Sequence, residues 1–399
     1  MVVDIIPAMK RILHLVALLL LLASCARTQA STDIAFCSGA PVCVGKNPLV
    51  ANVSVIQQFG ARPRFSPDGG RIVFDRKNAD GYYDVYLTDL QGQSLVALTE
   101  GKTGIGQKNN GNADFDPSGK YILFISEEEK HYSDNQKWTG DPGMGLFSNL
   151  WATDLNGERF WKLTDIPIKQ SLGDGIIAMA TVNPLFSLDG KTLFWTERYN
   201  EGGNHNWGLW RIKAADFIVN ADGPRLENER VFFTPQIGTY VTALGFVSPT
   251  EMVLSGHLDG QHEYGMDEYV YDMQTGELQN LTDTPSFWEE DATVTPSGQI
   301  IFMSNFYSSF AYDFPDPAWA SQKMERDYIL VNADGSAPQR LTYFNDPAAP
   351  EYLGRPVIVA ASDVSPDGRY LVASLGVDFG ETRRDMVLKI MLIEFSEPQ

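Results

Sequence analysis

A turn of the Ser-Pro-Asp-Gly type that recurs six times, a Leu-Thr pair that ends most of the units between those turns, and the scarcity of helical periodicity together predict the fold class. It is all-β: a six-bladed β-propeller of four-stranded antiparallel blades. Composition agrees, because 12% aromatic residues with 35 Gly and 22 Pro in 399 residues suit strands joined by tight turns.

The turns come first. They lie in "FSPDGGRIVF" from Phe65, "FDPSGKYILF" from Phe115, "FSLDGKTLFW" from Phe186, "VSPTEMVLSG" from Val247, "VTPSGQIIFM" from Val294 and "VSPDGRYLVA" from Val364. Pro at the second turn position supplies its fixed φ, and Gly at the fourth tolerates a positive one. An apolar residue precedes every copy and a strand-like run follows, so each copy reads as strand, turn, strand. A third strand runs into a polar turn in "DVYLTDLQG", "NLWATDLNG", "LWRIKAADF", "EYVYDMQTG" and "DYILVNADG". The Leu-Thr pairs at 99, 164, 282 and 342 close a fourth. The third unit lacks Leu-Thr, and in the fourth Thr250 and Glu251 replace Asp-Gly, which leaves the boundaries between 220 and 245 open.

These motifs resemble the TolB-type propeller repeat over roughly residues 50 to 397. The resemblance implies that fold, and an envelope protein without enzymatic activity. The last unit stops without a Leu-Thr strand, while "LVANVSVIQQF", Leu49 to Phe59, belongs to no unit. Docking that run onto the last blade would close the ring and remove two free edges.

Three segments are expected: 1–24 a signal peptide, 25–48 a tether, and 49–399 the propeller. Lys10 and Arg11 precede a short apolar run that ends in Leu-Ala-Ser-Cys at Cys25. That tetrapeptide resembles the bacterial lipobox, which implies a lipid on Cys25 and attachment to the membrane. Ala26 then implies the outer membrane by the same resemblance, and the body is expected to face the periplasm. In an oxidising compartment Cys37 and Cys43 are expected to pair as a disulfide. Two free thiols and a two-cysteine metal site are the other readings.

Function is sought on the face opposite the repeated turns, where irregular loops collect. His131, His205, His257 and His262 all fall there, and with nearby carboxylates they make a candidate site for a divalent metal. The plainer reading is a set of exposed loop histidines. Trp138, Trp207, Tyr264, Trp288 and Trp319, with Glu290, are candidate ligand-binding residues, since aromatic rings beside carboxylates suit a peptide, a glycan or a protein partner. No catalytic residue is assigned. "VASLG" around Ser374 lacks the first Gly of a nucleophile elbow, and "EGKTG" lacks the leading Gly of a phosphate loop. A net charge of -20 without clustered Lys and Arg excludes nucleic acid as a partner. Two readings follow: a non-enzymatic envelope lipoprotein that binds a protein, peptide or glycan, and a metal-dependent enzyme acting on uronate sugars. The second is implied by similarity to oligogalacturonate lyases.

Overall fold

The computed structural model describes residues 32–129, 140–171, 173–201, 207–316, 322–380 and 386–399. The body, Ile34–Gln399, is a ring of six four-stranded antiparallel sheets. Strand β1 (Val50–Gln57) precedes the first full blade, which is built from β2 (Ala61–Phe65), β3 (Arg71–Lys77), β4 (Tyr83–Asp89) and β5 (Val96–Ala97). The second contains β6 (Asn110–Phe115), β7 (Tyr121–Glu127), β8 (Ser148–Asp154) and β9 (Phe160–Lys162). The third contains β10 (Ala180–Phe186), β11 (Thr192–Asn200), β12 (Leu209–Asn220) and β13 (Gly223–Phe233). The fourth follows with β14 (Val241–Ser248), β15 (Glu251–Gly256), β16 (Asp267–Asp272) and β17 (Leu278–Asn280). The fifth has β18 (Glu289–Val294), β19 (Ile300–Ser304), β20 (Asp327–Val331) and β21 (Gln339–Arg340). The sixth has β22 (Val357–Val364), β23 (Tyr370–Asp378) and β24 (Met386–Phe395), with β1 as its outermost strand.

In the sixth sheet Val53 lies opposite Ile393 and Val55 opposite Met391. The first strands of successive blades touch all the way round, β22 against β2 included.

The repeated turn has one hydrogen-bond pattern at both ends of the chain. Gly69 donates to the Ser66 carbonyl and Gly368 to the Ser365 carbonyl, each at 2.8 Å. Both glycines have φ near the left-handed region, 70° and 71°, where a side chain would be strained. The Leu-Thr motif is a clasp. Thr99 Oγ1 donates to Asp84 at 2.7 Å and accepts the Val85 N–H at 2.9 Å, tying the fourth strand to the third. The same double bond joins Thr164 to Asn149 and Leu150, and Thr342 to Asp327 and Tyr328. The partner leucines Leu98 and Leu341 are fully buried. The third blade has no such clasp, and a long β12–β13 ladder from Ile212 to Asn220 takes its place.

Four first strands carry a bulge whose extra residue has positive φ: Arg62 at 51°, Asn112 at 50°, Asn183 at 52° and Asp291 at 60°. Their polar groups join blade to blade around the axis. Arg62 Nε donates to Asp75 at 2.5 Å, and Asp75 accepts the Asn112 N–H at 3.0 Å. Asn112 donates to Asn183 at 2.8 Å, and Asn183 donates to Thr242 at 2.6 Å.

The segment before β1 is fastened to the rim. Cys37 and Cys43 are joined by a disulfide with Cα atoms 5.4 Å apart. Phe36 packs on Phe344 with ring centroids 5.3 Å apart, and the Cys43 N–H is held by Asn52 at 2.7 Å.

Candidate functional site

Strand direction sorts the loops. In every blade the turn between the first two strands lies on one face, so the ends of the second and fourth strands lie on the other. Tyr240 just before β14, His257 just after β15, Trp288 just before β18 and Arg326 just before β20 therefore share that second face. Their rings form one continuous tract across the third, fourth and fifth blades. Trp207 packs on Tyr240 at 5.2 Å and on Tyr264 at 6.0 Å between centroids. Tyr264 packs on Trp288 at 4.9 Å. His262 stacks on Phe314 at 5.7 Å with only 13° between planes.

Local sequence explains why these side chains stay in place. The chain turns tightly from His262 to Gly265, whose N–H bonds the His262 carbonyl at 2.8 Å. A Cβ at Gly265 would lie 2.2 Å from the Pro285 carbonyl oxygen, so this close approach requires glycine. The base of the tract is buried: Tyr240 is 6% exposed, Trp288 7% and Phe314 5%. Trp207, His262, Tyr264 and Glu290 are half-buried and form its accessible surface.

Polar groups converge beneath the rings. The Trp288 indole N–H donates to Glu290 Oε2 at 3.0 Å, and the Arg326 guanidinium lies over the Trp288 ring at 3.9 Å. Burial pushes the Glu290 carboxyl up to about 7; neighbouring Asp291 adds to this, while the Trp288 hydrogen bond and Arg326 oppose it. Burial also raises Asp291, against the pull of Arg326, Arg64 and Arg62. Tyr240, in contact with Glu290, is held far above its ordinary value by burial and by the two acids. Near neutral pH this pair of carboxyls can hold a proton, so the site offers both a hydrogen-bond donor and acceptors beside stacked rings.

Of the residues singled out in the sequence, Trp207, Tyr264, Trp288, Glu290, His257 and His262 are brought into this one region. Cys25, His131, His205, Trp138 and Trp319 lie outside the described residues. The expectation of exposed loop histidines is corrected for His257, which is completely buried. Its Nε2 accepts the Tyr240 N–H at 3.3 Å and its ring stacks on Tyr240. His262 accepts the Tyr264 N–H through Nδ1 at 3.3 Å. Among the described residues no three His, Cys, Asp or Glu side chains are grouped as metal ligands.

Sequence reading missed the axial polar layer. The Arg64 charge acts on both Asp114 of the next blade and Asp363 of the last, and Arg64 donates through Nη1 to the Ser362 carbonyl. Burial raises Asp114 to about 7 and raises Asp363, with Arg64 opposing both. A signal was present: Arg64, Asp114 and Asp363 each stand directly before the apolar residue that opens a repeated turn.

Fold and site define a six-bladed β-propeller with an aromatic, carboxyl-bearing loop face. Among solved structures it is similar to TolB from Acinetobacter baumannii, at 15% identity and a TM-score of 0.49 over 84% of this chain and 65% of that one. This chain thus spans under two thirds of that protein. It is also similar to a TolB-type protein from Agrobacterium tumefaciens, at 14% identity and 0.48 over 86% and 96% of the two chains. An oligogalacturonate lyase in complex with manganese gives 11% identity and 0.48 over 89% and 95%. No protein-family model and no curated protein matches the sequence.

Proposed function

We propose that this chain is a non-enzymatic lipoprotein of the cell envelope whose propeller binds a protein, peptide or glycan segment on its loop face. The observation that carries the reading is the unbroken tract Trp207–Tyr264–Trp288 above the Glu290 carboxyl. Stacked rings give apolar contact area at low entropic cost, and a partly accessible carboxyl fixes orientation. The lipobox at Cys25 supports anchoring in the outer membrane, with the body facing the periplasm. Among the described residues no helix is long and apolar enough to cross a membrane.

The test is a peptide and glycan array probed with purified protein, followed by calorimetry on each hit. A specific ligand should lose at least about tenfold in affinity with Trp207→Ala or Tyr264→Ala, changes at half-buried positions. Hits indifferent to both would remove the loop face from the proposal. Stoichiometric manganese or zinc that is lost on replacing His257 and His262 would favour the metal-dependent enzyme instead. Mass analysis of the N-terminal peptide, with and without Cys25→Ser, tests the anchor.

A further inference from the structure

The seam between the first and sixth blades holds a cavity of about 520 Å³, within the range of roughly 300–1,000 Å³ usual for small-molecule sites. Its apolar wall consists of Phe59, Tyr83, Met386, Val387 and Leu388. Phe59 is 51% exposed at the rim, unusual for a ring of that size. Two cations, Arg76 and Lys77, also line it, and no carboxylate does among the described lining residues. In a chain of net charge -20 this is a local reversal of sign.

The cations are held by rings rather than by acids. Arg76 lies over Tyr86 at 4.4 Å and Lys77 over Tyr83 at 5.0 Å, and neither makes a salt bridge among the described residues. Neutral polar groups in the wall are already engaged. Asn78 donates to Asp84 at 2.8 Å and accepts the Asp80 and Tyr82 N–H groups, and the Arg62 guanidinium covers the Tyr83 ring at 4.9 Å. A peptide would bring backbone donors and acceptors to a wall whose side chains have little left to pair with them. An anion on a hydrocarbon tail meets both features of the wall.

We propose that this cavity binds a single-chain fatty carboxylate, its head on Arg76 and Lys77 and its tail against Phe59, Met386 and Leu388. The site is separate from the aromatic tract, so either proposal can fail alone. Purified protein is titrated calorimetrically with decanoate, dodecanoate and dodecanol below their aggregation limits. Dodecanoate should bind one to one, about fifteenfold tighter than decanoate because each of its two further buried methylenes contributes about fourfold, and at least about tenfold tighter than dodecanol. Arg76→Gln with Lys77→Gln should abolish the preference for the charged head, and Phe59→Ala should weaken binding of acid and alcohol alike. All three positions lie at the surface or rim, and an unchanged melting temperature shows that the variants fold. Equal binding of acid and alcohol, or a double variant that binds like the parent, overturns the proposal. Binding of a lauroyl lysophospholipid in place of dodecanoate also overturns it, by assigning the cavity to a phospholipid head.

Discussion

Arg326 lies over Trp288, its guanidinium carbon 3.9 Å from the ring centroid, while the indole N–H on that same ring is donated to Glu290. One aromatic side chain thus sits between a cation and a carboxyl. Trp288→Phe keeps a ring under Arg326 and removes the N–H. The Glu290 oxygen loses a buried donor, a loss of about 1–3 kcal/mol. Urea unfolding should show that loss, and Glu290→Gln in the same background should recover part of it. An unchanged midpoint in Trp288→Phe would mean that the indole bond contributes nothing.

Stability should peak in mildly acidic solution. Burial holds Asp75 at about 6 and Asp114, Glu289 and Glu290 at about 7. Groups raised in this way bind more protons folded than unfolded, so folding gains as pH falls from about 7 to about 4. The turn aspartates run the other way. Ser365 and Arg369 hold Asp367 near 2, and Ser66 lowers Asp68, so their contribution is present above about 4 and lost as pH drops towards 2. The urea midpoint should be higher near pH 5 than near pH 8 and should fall again near pH 3. A midpoint that rises steadily from pH 5 to 8 contradicts these shifts.

Asn183 combines a left-handed backbone with hydrogen bonds to the blades on either side, at Asn112 and Thr242. Asn183→Ala should cost about 1–2 kcal/mol for the backbone alone, and more for the lost bonds. Asn183→Gly should restore the backbone part only. If alanine and glycine variants melt together, the positive φ carries no penalty here.

Cys37 and Cys43 close a short loop six positions apart in sequence. Replacing both with Ser should lower stability by about 2 kcal/mol, the chain-entropy value for so small a loop. The change should leave the ring intact, because β1 is held to β24 by its own ladder. Loss of a cooperative transition in the double variant would show that the bridge is needed for closure.

Much of this molecule is written in short stretches of chain. A Pro-Asp-Gly turn depends on neighbouring φ angles, and strand alternation on which face each residue takes, so six turns and four strands per blade could be read in order. Thr99 could be recognised as a marker, but its bond to Asp84 spans 15 residues and required the sheet. The third blade resisted reading because a long ladder replaced the local motif.

The sequence by itself determined the number of blades, the placing of the turns and the aromatic content of the loops, since each depends on residues close together in the chain. Only the tertiary structure decided that Trp207, Tyr264 and Trp288 form one surface, that His257 is buried, and that the Arg64 charge acts on Asp114 and Asp363. Those contacts join different blades, and their geometry comes from how sheets pack about a common axis, which no local pattern encodes.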